Sequence, residues 1–167
     1  MNPARRYWHD VVGYNYRMTN MQAAIGTAQL ESIEPILARR DHIARLYDAG
    51  FERTPGLRRP PRAEWARPVC WLYTVTVDEG SGASRESLMA RLAAQGIDTR
   101  PMFYPVHTMP PYRRYATREF PVATRLSRTG VSLPSSTNLR DDEIGLIIDQ
   151  VNEILRNTPA PASAAQS

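Results

Sequence analysis

The sequence predicts an α+β fold in which a small mixed domain follows one long helix. Three features support this prediction. A helical pattern of alanine, leucine and isoleucine covers about 21–49, the segment 69–78 has the valine, threonine and aromatic content of a strand, and an apolar stripe over 144–155 has helical spacing. With 167 residues, the chain is long enough for one domain with a real core and too short for two ordinary ones.

The first part of the chain is expected to be an entry segment followed by a linking helix. Residues 1–18 are polar and aromatic and are interpreted as irregular or extended. Thr19 or Asn20 is a suitable N-cap for a long linking helix over 19–50, and Pro35 predicts a kink or a break within it. This helix carries more apolar surface than a small domain needs, so we expect it to pack on something outside this chain.

The second part, 51–157, is expected to form the small α+β domain. Four prolines mark 54–68 as a loop, after which the strand at 69–78 begins. Ser84 is expected to cap a helix that Gly96 stops. The remaining predicted elements are a strand at 97–103, a structured loop at 104–118, a helix at 121–128 and a strand at 131–133.

The final helix has the clearest pattern in the chain. Asn138 is a suitable cap, and three acidic residues, Asp141, Asp142 and Glu143, occupy the first turn, where the helix dipole favours negative charge. The apolar stripe follows at the spacing of one helix face. The tail, 158–167, is small and proline-containing and is expected to be disordered.

The net charge of +4 arises from 21 basic residues, all of which are arginine. Arginine keeps its proton and cannot provide the reactive primary amine that lysine provides. No apolar run approaches the roughly 20 residues that span a bilayer, and the beginning of the sequence lacks the pattern of a secretory signal. A cytoplasmic location is therefore expected.

Generic catalytic and metal-binding patterns are absent from the sequence. The three histidines are far apart, and neither a phosphate-binding glycine loop nor a nucleophile elbow is present, so no metal site is expected. The single cysteine, Cys70, lies in an apolar run and is interpreted as a small buried hydrophobic residue rather than a nucleophile. The arginines are scattered among acidic residues, which gives little support to nucleic-acid binding.

Three longer motifs follow one another along the chain. The first is GYNYRMTNMQAAIGTAQL at 13–30, the second is GIDTRPMFYPVH at 96–107, and the third is GVSLPSS at 130–136. In sequence and in order they closely resemble the DegT/DnrJ/StrS family of sugar aminotransferases, over roughly 5–155. The run RRYWH at 5–9 is most similar to the perosamine synthase branch, which aminates a nucleotide-linked keto-sugar.

The resemblance implies the C-terminal small domain of a fold-type-I aminotransferase that uses pyridoxal phosphate (PLP). Such enzymes are dimers, a larger N-terminal domain supplies most of the cofactor site, and the active sites lie at the subunit interface. The asparagine that matches Asn15 reaches the cofactor phosphate of the partner subunit, where an amide donates without adding charge. On spacing alone, Asn15 would be a turn-forming residue after Gly13. Arg17 is assigned to the phosphate or a neighbouring carboxylate, with a salt bridge at the helix entry as the alternative.

The resemblance assigns two further residues to the substrate. His107 matches a family histidine near the sugar, where it would bind a hydroxyl or phosphate oxygen; the alternative is a loop histidine satisfied by the backbone. Arg100 is assigned to a substrate phosphate, or else it only closes the end of its strand. Other aromatic residues are interpreted as packing residues in the loop, Tyr104 and Tyr112, or as core or interface anchors, Trp65 and Trp71.

No catalytic residue is assigned to this chain, because it contains no lysine. The family's catalytic lysine, its cofactor-pairing aspartate and its main phosphate-binding turn would lie upstream of Met1, so the chain is expected to be inactive alone. It is interpreted as the C-terminal portion of a nucleotide-sugar aminotransferase, either a truncated frame or half of a split enzyme. The alternative is a non-catalytic dimerisation module that pairs with itself or with an intact aminotransferase, and an arginine-driven nucleic-acid binder ranks last.

Overall fold

The computed structural model describes residues 5–158 and confirms the α+β fold. All of the predicted tail except Thr158 lies outside the described residues. None of the described helices has both the length and the apolar character needed to cross a bilayer. In chain order the elements are α1 (Asn20–Glu31), α2 (Ile33–Gly50), β1 (Leu57–Arg58), β2 (Tyr73–Val77), α3 (Arg85–Ala94), β3 (Arg100–Pro101), α4 (Pro121–Thr129), β4 (Gly130–Leu133) and α5 (Asp141–Arg156).

The four strands form one antiparallel sheet in the order β1-β2-β4-β3. Between the two central strands, Tyr73 lies opposite Leu133 and Val75 lies opposite Val131. Alternate residues of β2 are buried, as expected for side chains that point to opposite faces of a sheet. Every residue of β4 is buried, which agrees with its position between two other strands.

The core lies between the sheet and the helices α2, α3 and α5. The apolar stripe predicted for the last helix is confirmed, because it supplies five buried residues to this core. The fully buried side chains with the largest volumes come from all of these elements: Ile43, Tyr47, Phe51, Val75, Leu88, Leu92, Val131, Leu133, Ile144 and Val151. Burial of this apolar surface is the main favourable contribution to folding.

The long helical pattern forms two helices that are divided at Ser32, so the predicted interruption is confirmed and lies three residues before Pro35. Pro35 itself is in the first turn of α2. The first four N–H groups of a helix have no partner within the helix, so a proline costs no hydrogen bond there. The helix therefore breaks before the proline rather than at it.

The helix α1 contributes nothing to this core, and none of its residues is buried. Its largest apolar side chains, Met21, Ile25 and Leu30, are 77%, 60% and 67% exposed. By contrast, α2 buries Ile43, Ala44 and Tyr47. The described chain thus contains one helix that buries none of its side chains against the rest of the fold.

Three predicted helix boundaries are confirmed. The Thr19 hydroxyl accepts from the Gln22 backbone N–H at 3.3 Å, and the Gln22 side chain accepts from the Thr19 N–H at 2.8 Å, which completes a capping box. The Ser84 hydroxyl caps α3 by accepting from the Ser87 N–H at 3.1 Å. Gly96 follows α3 with a φ of +75°, a left-handed conformation that glycine adopts without strain.

The predicted cap of the last helix is wrong. The helix begins after Arg140 rather than Asn138, and the backbone N–H of Asn138 donates to the Ser136 hydroxyl in the preceding turn. At the true start, the backbone N–H of Arg140 donates to the Glu143 carboxylate at 2.8 Å. The prediction of an acidic first turn, beginning at Asp141, is confirmed.

The predicted strands are longer than the observed ones. The strand expected at 69–78 begins only at Tyr73, because Cys70 has a φ of +52°, which interrupts extended backbone. The strand expected at 97–103 is reduced to the two residues of β3, and the loop expected at 54–68 contains β1. Helix α4 and strand β4 agree with their predictions to within one residue at each end.

Candidate functional site

Asn15 and Arg17 lie on the segment 9–18, which we term the arm and in which every side chain is exposed. The backbone N–H of Arg17 donates to the Asn15 side-chain oxygen at 2.9 Å, and Arg17 has a φ of +62°. Asn15 therefore does form a local turn, but the turn uses only its oxygen. Among the described residues nothing accepts from its amide nitrogen, which leaves two N–H donors for a ligand.

His107 lies in the short 3-10 turn Val106–Thr108, in the loop that follows β3, and is half-buried. Its ring packs against Phe120, with centroids 4.7 Å apart, and the guanidinium of Arg118 lies over Phe120 at 5.1 Å. No described residue hydrogen-bonds to either ring nitrogen of His107. The alternative of a histidine satisfied by the backbone thus has no support in the described chain, and the ring is held by one face with its nitrogens available.

Arg100 is exposed on β3, opposite Ser132 in the neighbouring strand. It lines an open groove of about 780 Å³ together with Trp71 and three serines, at 132, 135 and 136. The second arginine of this groove, Arg40, already donates to the carbonyl oxygen of Trp71 at 2.9 Å. Arg100 has no ion pair among the described residues, so it is the arginine of this groove that is available to an anion.

The four assigned residues lie in three places: the arm, the loop after β3, and the groove beside β3. The lining of the groove includes Arg100 but not Asn15, Arg17 or His107. The described chain therefore presents separate side chains and does not assemble them into one closed site.

The sequence prediction missed a cluster at the root of the arm. The guanidinium of Arg5 lies 3.9 Å from the ring centroid of Trp8 and 4.3 Å from that of Tyr104. Trp8 is buried at 9% exposure and meets Tyr104 edge to face, with ring centroids 5.4 Å apart. The only signal in the sequence was the run of two arginines and two aromatic residues at 5–8, which does not indicate a partner.

Cys70 lies beside a second, mainly apolar cavity of about 410 Å³. The residue packs against the core but is half-buried. The sequence interpretation as a small hydrophobic residue was therefore correct, but it overstated the burial. Burial raises the pKa of the Cys70 thiol despite the neighbouring Arg62 guanidinium. A raised pKa lowers the fraction of reactive thiolate, which argues against a nucleophile.

Trp65 and Trp71 are 90% and 61% exposed, so the prediction that they anchor the core is wrong. Trp65 lies in the segment predicted as a loop, and Trp71 lies in the part of the predicted strand that does not form, before β2 begins at Tyr73. The alternative, that they anchor an interface, stays a prediction.

Much of the positive charge is neutralised locally. Within the described chain, each of seven arginines lies within ion-pair distance of a carboxylate: Arg39, Arg45, Arg58, Arg62, Arg85, Arg128 and Arg140. Such pairing weakens the field that a nucleic-acid backbone would meet. The described residues also contain no group of three or more histidine, cysteine or acidic side chains arranged to hold a metal ion.

Comparison with known proteins gives consistent matches. The sequence pattern of the DegT/DnrJ/EryC1/StrS aminotransferase family matches residues 1–152. The chain is 40% identical to GDP-perosamine synthase of Caulobacter vibrioides and 39% identical to GDP-perosamine synthase of Escherichia coli O157:H7, over 93% and 89% of its length. The crystal structure of DesV from S. venezuelae has a TM-score of 0.77 and 32% identity, and covers 92% of this chain and 41% of that one.

The chain spans about two-fifths of the length of the curated relatives it matches, 42% and 40% for the two perosamine synthases. The family match includes all three motifs and every residue assigned to cofactor or substrate. The chain therefore belongs to the DegT/DnrJ/EryC1/StrS aminotransferase family.

Proposed function

We propose that this chain is the C-terminal portion of a nucleotide-sugar aminotransferase and contributes binding residues to a site completed by a lysine-bearing domain. The observation that carries the proposal is the 40% identity with a GDP-perosamine synthase across nearly the whole chain, in a sequence that contains no lysine. A chain of this kind can line a coenzyme pocket but cannot hold the coenzyme covalently.

The residues of the arm fit the phosphate of PLP. The Asn15 amide offers N–H donors while its oxygen is engaged by the Arg17 backbone, and the exposed Arg17 guanidinium adds charge-assisted donors. When bound, PLP supplies the electron sink that lets an amino group pass from an amino-acid donor to a keto-sugar. In this proposal Asn15 and Arg17 only bind and orient the phosphate, across the interface with a partner subunit.

The loop after β3 and the groove beside β3 carry the residues that fit the nucleotide-sugar. Arg100 donates to a phosphate oxygen, for which a planar guanidinium is geometrically suited. His107 binds a sugar hydroxyl or a phosphate oxygen through a ring nitrogen, while Phe120 holds the ring face. By analogy with the relatives' names, the substrate is a GDP-linked keto-sugar and the product an amino sugar of the perosamine type, used in polysaccharide synthesis.

A first test uses the purified chain alone. Incubation with PLP and then borohydride is expected to leave no side-chain adduct, because the sequence offers no lysine amine. Mixing the chain with the separately expressed N-terminal domain of a GDP-perosamine synthase is expected to restore amination of a GDP-linked keto-sugar. The variants Asn15→Ala and His107→Ala should each weaken the restored activity, whereas Asp149→Asn, at an exposed position of α5, should not.

Two results would contradict the proposal. One is a borohydride-stable adduct on any side chain of the isolated protein. The other is a mixture that binds PLP through the added domain yet aminates no nucleotide keto-sugar, at any concentration at which the two parts associate.

A second candidate function is a non-catalytic dimerisation module that pairs with a second copy or with an intact aminotransferase. The exposed apolar residues of α1 favour it, because a helix with this composition is typical of a buried interface. Sedimentation or light scattering at several concentrations tests this proposal. A strictly monomeric chain that also fails to co-purify with an intact aminotransferase would rule it out.

A further inference from the structure

Arg5, at the start of the described chain, contacts an aromatic ring that lies about a hundred residues further along it. We term the three residues Arg5, Trp8 and Tyr104 the clamp. The Arg5 guanidinium carbon lies 3.9 Å from the Trp8 ring centroid and 4.3 Å from the Tyr104 ring centroid, beside two rings that meet edge to face. One cation therefore makes cation–π contacts with two rings at once.

Local structure holds the first side of the clamp in shape. The Trp8 N–H donates to the Arg5 carbonyl oxygen at 3.1 Å, across a turn in which Tyr7 has a φ of +65°. The Trp8 indole N–H donates to the Asp10 carboxylate at 3.0 Å. Trp8 is thereby fixed in orientation and buried, although it lies next to an arm that is exposed throughout.

The second side of the clamp belongs to the loop that carries His107. Tyr104 precedes His107 by three residues, and its neighbour Phe103 meets Tyr7 edge to face, with ring centroids 4.7 Å apart. Two ring pairs and one shared cation therefore join the root of the arm to this loop. Beyond Trp8 every side chain of the arm is exposed, and the seven residues to Asn15 span at most about 25 Å.

We propose that Arg5 is a positioning residue, which fastens the root of the arm carrying Asn15 to the loop carrying His107. Asn15 on the cofactor side and His107 on the substrate side are then both connected to the clamp. The clamp thereby sets the direction in which the arm leaves the domain relative to His107. This inference rests on the proposed function only in taking Asn15 and His107 as the ligand contacts. The contacts of the clamp involve no ligand, so they can be tested by hydrogen exchange in the chain alone.

The test measures hydrogen exchange at three reporter amides in the full chain. Trp8 donates to Arg5, while Thr108 and Met109 donate to Pro105 and Val106 in the loop. In Arg5→Ala, exchange at all three amides is expected to rise together, by about ten-fold, because the shared cation is lost. Amides of α5 should exchange as in the parent chain. The matched control is Arg114→Ala, whose guanidinium stacks only on Tyr115 at 4.8 Å and which should change none of the three.

Two variants of Tyr104 distinguish ring stacking from general loosening. Tyr104→Phe keeps the ring and should preserve parent exchange, whereas Tyr104→Ala should raise exchange at the same three amides as Arg5→Ala. The effect of the double variant should be smaller than the sum of the two single effects, because each single change already removes the contact between Arg5 and Tyr104. If Arg5→Ala accelerates Trp8 but leaves Thr108 and Met109 unchanged, the coupling between arm and loop is absent and the inference fails.

A reconstituted pair separates this inference from the proposed function. There, Arg5→Ala should raise the KM for the nucleotide-sugar and lower kcat, with Tyr104→Phe close to the parent chain. Parent-level kinetics in an Arg5→Ala chain whose loop amides exchange rapidly would overturn the positioning role. If the parent chain supports no amination at all, the proposed function fails, and the exchange measurements alone decide whether the clamp couples arm and loop.

Discussion

The helices α1 and α5 begin in the same way and are held very differently. Each has a side chain at N3 that accepts from the backbone N–H of its N-cap residue, Gln22 in α1 and Glu143 in α5. Yet α5 buries six residues in the core and α1 buries none. Because helices of this length are marginal in water without tertiary packing, the comparison shows that local sequence decides where a helix starts, whereas burial decides how firmly it is held.

The composition of α1 sharpens this contrast. Its only charged residue is Glu31, and its exposed surface carries methionine, isoleucine and leucine. An exposed helix in water ordinarily carries charged residues on its outer face. The sequence of α1 is therefore suited to a covered surface, in agreement with the proposed partner subunit.

The largest expected effect is a difference in the loss of stability between two isoleucine substitutions, one in each helix. Ile144→Ala in α5 should lower the free energy of unfolding by about 2–5 kcal/mol, because it opens a cavity at a fully buried site. Ile25→Ala in α1, where the side chain is 60% exposed, should change it by less than about 0.5 kcal/mol. Urea denaturation of both variants measures the difference, and equal losses would mean that α1 packs on the core after all.

A smaller loss is expected for Asn152, the buried amide of α5. Its side-chain oxygen accepts from the Thr54 hydroxyl, and its nitrogen donates to the Gly50 carbonyl oxygen at 3.2 Å. Asn152→Ala leaves both partners unsatisfied and should cost about 1–3 kcal/mol. Asn157→Ala, an exposed change just after the same helix, serves as the control in thermal and urea unfolding. A cost no greater than that of the control would show that water replaces the amide.

Removing the N-cap hydroxyl by substitution with alanine makes the same kind of change in α3, which packs on the core, and in α1, which buries no residue. Ser84→Ala removes the cap of α3 and should lower the free energy of unfolding by about 1 kcal/mol. Thr19→Ala removes the cap of α1 and should leave global unfolding unchanged, while circular dichroism reports a small loss of helix. A drop in global stability from Thr19→Ala would contradict the independence of α1.

The smallest expected effect concerns pH and the junction of α2 with α5. Hydrogen bonds from His42 and from Arg39 hold the pKa of Asp141 below its usual value. A lowered folded-state pKa contributes stability above the ordinary pKa of about 4, and that stability is lost as the pH falls through the folded value. Asp141→Asn should flatten the dependence of the urea midpoint between about pH 6 and pH 3. The control is Asp149→Asn, and an equal flattening there would remove the assignment to Asp141.

Sequence reasoning was accurate where the cause was local. Thr19, Ser84 and Gly96 mark helix ends because capping depends on residues within one turn. It failed where two local signals competed: Asn138 is a good cap by type, but the helix begins after Arg140, whose backbone N–H donates to Glu143 at N3. Strand length was overestimated at Cys70, whose left-handed backbone no residue preference would predict.

The candidate site shows the same division. The two motifs that contain Asn15, and Arg100 with His107, were recognisable in the sequence, and the family match confirms the family but tests none of the three roles. That the Asn15 oxygen is engaged in a turn while its nitrogen is not, and that His107 lies against Phe120, required the structure.

The sequence by itself determined that this chain cannot bind PLP covalently through a lysine amine, because it contains no lysine. It also determined the helix ends at Thr19, Ser84 and Gly96 and the apolar stripe of α5, which depend on residues close together in the chain. Only the tertiary structure decided that Trp65 and Trp71 are exposed and that the Arg5 guanidinium lies over the Tyr104 ring. The reason is physical: burial and ring stacking arise between segments far apart in the chain, and no local pattern states which distant surface a side chain will meet.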